Sequence, residues 1–464
     1  MNRRAFLRRA AALSVVGAGS GLAMNLAAAG EAAALTASDY KAVVCIFLYG
    51  GNDYANTVVP YDATNYDLYS AIRGGGSGRT RGGIAFGRDE LAATALTPVI
   101  GQTLTDNMQY ALAPELTNLA GLFNTGKAAI QLNIGTLVQP LTYAQYHAGT
   151  GIPRKLFSHN DQQSTWQTMA VEGATSGWGG RMGDLALSSN GQSLLTCISA
   201  TGNTVFLSGA HTLQYEISTA GAVPIAAAGN AAYGSSAVAS TLRSLITQQR
   251  SHILENEFSR VTSRSVSLEG VVTSALSPVS LATSFNPDGK ANDLADQLQI
   301  VARLIAARNT LAQKRQVFFV SMGGFDNHDD LMDSHSALMT KLDEAVGAFY
   351  AATVEMGIAD QVTTFTASDF GRTLASNGDG SDHGWGSHHF VVGGAVKGGR
   401  YFGTAPHVSL STEDQVGQGR LLPTAAVDQL AGTLSRWFGV ADSDLSTIAP
   451  NIGKFSSTDL GYFS

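Results

Sequence analysis

The chain reads as an α/β protein, built on a mostly parallel central sheet flanked by helices, with an insertion or cap in the middle of the chain. Two observations predict this. Short continuous apolar runs recur, KAVVCIFLY at 41–49, VFFVSM at 317–322 and QVTTFTAS at 361–368, and each leads into a glycine-containing polar turn. A strand apolar on both faces belongs in a parallel sheet covered on both sides. Between the later runs lie helical segments. The stretch 292–313 carries Leu294, Leu298, Val301, Leu304 and Ile305 on one side, the spacing of an amphipathic helix. Strand, helix, strand, helix at these lengths is the α/β pattern.

From the N-terminus, MNRRAFLRRA precedes a mildly apolar run rich in Ala, Gly and Ser. Paired arginines before such a run predict a twin-arginine export signal over 1–34 and a periplasmic or extracellular protein. Ala27-Ala28-Ala29 and Ala32-Ala33-Ala34 both offer a cleavage site. The Gly, Ser and Asn content makes the run a poor membrane helix, so no stable span is expected once it is removed. The formal charge is −7, and losing Arg3, Arg4, Arg8 and Arg9 with residues 1–29 makes it −7 − 4 = −11. That balance argues against nucleic acid or an anionic membrane as a general partner.

Residues 40–464 are expected to form a single domain, because no repeat, charge block or proline-rich linker divides them. Cys45 lies inside an apolar run and is expected to be a buried free thiol. Leu116, Leu119 and Leu122 have helical spacing ahead of a strand at 128–134. The stretch 185–290, low in charge and rich in Ala, Ser, Gly and Thr, is expected to be the insertion or cap, with at least one helix near 240–261. Helices follow at 334–357, closed by Gly357, and at 424–438, with a further strand in HHFVVGG.

The functional signal is positional. Ligands of open α/β sheets bind at the carboxyl ends of the strands. There the first run meets GGNDYAN, with Asp53. The second meets GGFDNHDD, with Asp326 and His328. The third meets SDFGRT and then DHGWGSHH, with Asp369, Arg372, His383, His388 and His389. Carboxylates with imidazoles are the ligand set of a divalent metal. His388 and His389 open a strand, so at most one of them should face the site. In FSHNDQQSTWQ, Ser158 and His159 are adjacent and cannot act as a nucleophile–base pair across one backbone step. Ser158 reads as a helix N-cap or as a nucleophile activated by a metal at that helix start. Arg181, in GWGGR, suits an anion or a carboxylate.

The twin-arginine start, GGNDYANTVVPYD, SHNDQQSTWQ, GWGGR, GGFDNH, SDFGRT and DHGWGSHHFVVGGAVKGGRYFG occur in this order over most of the chain. In these the chain resembles domain-of-unknown-function family 1501, which is similar in fold to the alkaline phosphatase and sulfatase superfamily. The resemblance implies an alkaline phosphatase-like domain with metal at the carboxyl edge of the sheet. Asp53 would be the first-strand ligand, Asp326 and His328 would serve one metal, Asp369 another, and His383 would close the set. Ser158 would be the nucleophile candidate. The chain departs from the superfamily in having Asp369-Phe370 where Asp-His is common, unless His388 or His389 supplies the missing imidazole. Two functions follow as expectations. One is an exported hydrolase of phosphate or sulfate esters using zinc, manganese or calcium, with Arg372 or Arg181 holding the anionic ester. The other is a non-catalytic envelope protein that binds an exported protein partner.

Overall fold

The computed structural model describes residues 35, 37–74, 83–225 and 231–463; the export signal expected at 1–34 lies outside them. The central sheet comprises β1 Lys41–Leu48, β2 Ala128–Gly135, β3 Cys197–Ser199, β4 Tyr215–Glu216, β5 Arg315–Met322, β6 Val362–Ser368, β7 Ser387–Gly393, β8 Tyr401–Phe402 and β9 Ala425–Ala426. Its order is β8-β2-β7-β6-β1-β5-β3-β4, with β9 also paired to β2. β1 pairs in parallel with β5 and β6, with Lys41 opposite Arg315 and Ala42 opposite Val362. β7 runs antiparallel to both β2 and β6. The sheet is thus mostly parallel, as the apolar runs predict.

The continuous apolar character of β1 is explained by the cover on its two faces. Val44 and Ile46 join one buried cluster, Val43, Cys45 and Phe47 another. The main helices are α1 His159–Thr168, α2 Trp178–Ala186, α3 Ser236–Thr247, α4 Ile253–Leu276, α5 Asp293–Ala306, α6 Leu331–Glu355 and α7 Val427–Phe438. Helices α5 and α6 bury Leu294, Leu298, Met339 and Leu342 in the first cluster. Helices α2 and α7 bury Trp178, Met182, Leu430 and Leu434 in the second. The Asn292 side chain caps α5 by accepting from the Ala295 amide at 3.1 Å, an interaction worth about 1 kcal/mol. The helix stops at Ala306 rather than near 313, because the chain must turn back into β5; Ala312 takes φ 51° in that turn.

The stretch 185–290 is less separate than expected. It supplies β3 and β4 to the edge of the central sheet, and its helical part is a pair, α3 and α4, broken near 248–252. Cys45 and Cys197 are buried free thiols. Among the described residues no helix is long and apolar enough to cross a membrane.

One buried carboxylate lies in the first turn of α7. Asp428 is 1% exposed and accepts from the Asn451 amide at 2.8 Å, and burial raises its pKa to about 6. The folded state therefore holds the Asp428 proton more tightly than the unfolded chain does. Asp428 weakens the fold progressively as pH rises from its unfolded pKa of about 4 through 6. Asp428→Asn is expected to unfold at higher temperature than wild type at about pH 8, by up to about 3 kcal/mol, with the difference vanishing near pH 4 in thermal melts.

Candidate metal centre

Three segments meet beyond the carboxyl ends of β1, β5 and β6. The loop after β5 carries Asp326 and His328. The turn after β6 carries Asp369 and Phe370, and the hairpin of Arg372–Ser376 with Ser381–His383 follows it. The start of α1 carries His159. Gly50 and Gly51, both at positive φ, let the end of β1 come close to this junction. A Cβ on Gly50 would lie 2.4 Å from the Asp326 amide nitrogen, and one on Gly51 2.5 Å from the Phe370 ring. Only glycine tolerates both the conformation and the approach.

His159, Asp326 and His383 each offer a ligand atom, all within 4.8 Å of one another. His159 Nε2 lies 3.1 Å from His383 Nε2 and 3.4 Å from Asp326 Oδ2. His383 Nε2 is 3.3 Å from Asp326 Oδ1. His328 joins from beside this trio, its Nε2 3.0 Å from His383 Nε2 and 3.1 Å from Asp326 Oδ1. Around a tetrahedral zinc with bonds of about 2.0–2.1 Å, neighbouring ligand atoms sit about 3.3–3.4 Å apart. The observed spacings fall close to that range.

The far side of each ring is also held. His159 Nδ1 faces Asp369 Oδ2 at 2.6 Å, His383 Nδ1 faces the Phe157 carbonyl at 2.8 Å, and His328 Nδ1 lies 3.4 Å from Asp382 Oδ1. The partners of His159 and His383 are acceptors, so in the neutral rings Nδ1 carries the proton and Nε2 presents its lone pair to the centre. Two such imidazoles and a carboxylate on one point are a group that could hold a metal ion. A carboxylate or carbonyl behind each imidazole is the arrangement that orients histidine ligands.

Donating a hydrogen bond to Asp369 raises the His159 pKa against the opposing effect of burial. Burial lowers that of His383. Burial pushes Asp326 upward, but its hydrogen bond and ion pair with Arg372 prevail and hold it below the usual carboxylate value. Phe370, next to Asp369, forms a wall, its ring 4.9 Å from the His159 ring and 4.7 Å from that of His383.

Asp326, His328 and His383 fall together as the strand ends predict; other expected residues take different places. Asp369 is fully buried and turns Oδ2 to His159 and to Gln163 Nε2 at 2.8 Å, so it orients the His159 ring, while its Oδ1 is left without a partner. Asp53 forms a buried ion pair with Arg73 through Oδ2 and lies outside the trio, with Oδ1 left without a hydrogen-bond partner. His388 is 2% exposed, its Nδ1 accepts from the Asn133 amide at 3.0 Å, and burial lowers its pKa to about 4. His389 is likewise buried, against Trp166. Neither ring of β7 faces the centre; both are used in packing. Arg372 is buried and spends its donors on Asp326 (2.6 Å), the Gly50 carbonyl (3.2 Å) and the Ser381 carbonyl, so it anchors Asp326 rather than meeting a substrate. Arg181 donates to the carbonyls of Ile448, Ser176 and Thr168, tying α2 to its surroundings. Ser158 occupies the N-cap position of α1, but its hydroxyl donates to Asp161 Oδ2 at 2.9 Å.

His159 joins the trio from a helix start rather than from a strand end. The available signal was HNDQQ: His159 and Gln163 are four apart on a polar helix and share a face, and both reach the Asp369 carboxylate.

Fold and site together define an α/β protein with a histidine–carboxylate centre at the carboxyl edge of its sheet. The family model described as "Protein of unknown function (DUF1501)" matches residues 40–436, and the chain belongs to that family. No curated protein matches it. Among solved structures it is similar to Ps i-CgsB in complex with k-i-k-neocarrahexaose (8% identity, 91% of this chain and 77% of that one, TM-score 0.37). It is also similar to the lipoteichoic acid synthase LtaP from Listeria monocytogenes (9%, 91% and 78%, TM-score 0.35). A third is the C-terminal periplasmic domain of EcEptC from Escherichia coli, in a complex with Zn (10%, 90% and 90%, TM-score 0.35). At these scores the fold assignment rests on the sheet itself and the site on its own geometry.

The Asp53–Arg73 pair yields a test of its structural role. Arg73→Met strands a buried carboxylate and is expected to destabilise the fold by about 3–5 kcal/mol in denaturant titration. A loss below about 1 kcal/mol would mean that Asp53 has another counter-charge.

Proposed function

We propose that the protein is an exported, metal-dependent hydrolase of phosphate or sulfate esters, working at the centre formed by His159, Asp326 and His383. The observation that carries this reading is the orientation of the rings. Each Nδ1 is held by an acceptor, so the Nε2 lone pairs of His159 and His383 meet the Asp326 carboxylate at metal-ligand spacing. Three protein ligands with a further position open is the pattern of catalytic rather than structural zinc. Two imidazoles and one carboxylate suit zinc or manganese better than calcium, which takes about six to eight oxygens. When bound, such a cation supplies Lewis-acid activation of the ester and of its attacking water.

The protein's own groups have separable tasks. Arg372 fixes the Asp326 carboxylate, and Asp369 and the Phe157 carbonyl fix the two imidazoles. Phe370 packs against both imidazoles and forms one wall of the site. His328 is the most exposed of the three imidazoles, at 40% of its side chain, and is backed by Asp382. It is placed to hand a proton to the leaving group. Arg420 stands near the centre, its Nε donating to the His383 carbonyl at 2.7 Å and its guanidinium over the Phe157 ring. A positive group there favours an anionic ester. Water is the preferred nucleophile, since the Ser158 hydroxyl is committed to Asp161.

Zinc- or manganese-loaded protein is expected to turn over an aryl phosphate or an aryl sulfate. His159→Ala and His383→Ala should lose both metal and turnover. Asp369→Asn should weaken metal affinity about 10–100-fold with the fold intact. Metal content by elemental analysis and turnover by product absorbance give the readouts. Metal binding without turnover on either ester would favour the non-catalytic envelope role, and failure to bind metal would overturn the centre itself.

A further inference from the structure

Helix α4 carries an apolar seam along one face. Leu254, Phe258, Val261, Leu268 and Val272 follow at spacings of four, three, seven and four residues, the repeat of a helix that packs against another along its length. The C-terminal half is used within the chain, with Leu268 and Val272 buried in the main core. The N-terminal half continues the same line into solvent. Leu254 is 73% exposed, Phe258 69% and Val261 46%, and Ile253 beside them 79%. Among the described residues nothing covers this half. Lone exposed apolar residues are ordinary, but an aligned group of this size marks a contact surface.

The charges beside the stripe indicate what covers it. Glu255 and Glu257 come first and Arg260 and Arg264 follow, all exposed. Two such helices side by side in parallel would set acid against acid and arginine against arginine. Turned antiparallel, each places its acids opposite the other's arginines. That is the self-complementarity a two-fold interface between identical chains requires. Within one chain Glu257 pairs with Arg260 at 3.3 Å and Arg264 at 3.2 Å. Exposed pairs of this kind contribute little and exchange readily for contacts across an interface. An anionic lipid surface fits less well, because two acids flank the stripe and the chain is acidic overall.

We propose that the free half of the α4 seam is a self-association surface, through which two copies of the chain pair antiparallel along Leu254, Phe258 and Val261. The surface is independent of the His159–Asp326–His383 centre. Sedimentation of the full chain over a dilution series tests it. The mass should double at high concentration and return to that of one chain on dilution. L254E/F258E should remain at the mass of one chain throughout, with circular dichroism and melting temperature checking its fold. E255R/E257R should weaken pairing, and adding R260E/R264E to it should restore pairing; this series decides alone if L254E/F258E does not fold. Three results would each overturn the proposal. These are a wild type of single-chain mass at every concentration, a dimer indifferent to both variant sets, and a monomeric wild type that co-sediments with phosphatidylglycerol vesicles.

Discussion

The contact on which the candidate centre depends is the one between Asp369 Oδ2 and His159 Nδ1, at 2.6 Å. It joins the end of β6 to the first residue of α1, 210 positions earlier in the chain. A fully buried carboxylate needs donors, and Asp369 Oδ2 finds two on one helix face, in His159 and Gln163, while Oδ1 is left without a partner. The contact with Oδ2 fixes the imidazole, and the fixed imidazole turns Nε2 toward His383 and Asp326. The same requirement shapes the chain just before it. Lys155 and Phe157 take φ of 54° and 69° without being glycine, a conformation that persists only where surrounding structure enforces it. Here the reward is the Phe157 carbonyl, presented to His383 Nδ1.

Two buried arginines divide the carboxylates of the sheet edge into two kinds. Arg73 pairs with Asp53 Oδ2 in an almost fully buried contact, while Asp53 Oδ1 is left without a hydrogen-bond partner. Arg372, equally buried, grips Asp326, whose side chain remains 46% exposed. Its hold leaves Oδ2 facing His159. One pair closes the core and the other presents a carboxylate to the two imidazoles, although both acids follow glycine-containing turns at strand ends. What separates them is exposure, 1% for the Asp53 side chain against 46% for that of Asp326.

That distinction explains how far the sequence could be read. β1, β5 and β6 were legible because buried parallel strands are continuous apolar runs, and the polar groups at their ends were legible because the fold puts ligands there. Asp326, His328 and His383 followed from that rule. Asp53 did not, because nothing local in GGND announces that Arg73 will close over it. His388 did not, because HHFVVGG becomes an antiparallel strand packed on both faces, and burial turns both histidines into core residues. His159 was hidden for the opposite reason. It lies on a polar helix with no apolar stripe, and its partner comes from the far half of the chain. The middle segment was the least legible, since a few residues at 197–199 and 215–216 suffice to add edge strands to the sheet.

X-ray absorption on the protein loaded with one equivalent of zinc would test the central claim most directly. The account predicts a first shell with two imidazole nitrogens and one carboxylate oxygen, reduced by one imidazole when His383→Ala is substituted. A shell of oxygens alone, or one unchanged by that substitution, would contradict it.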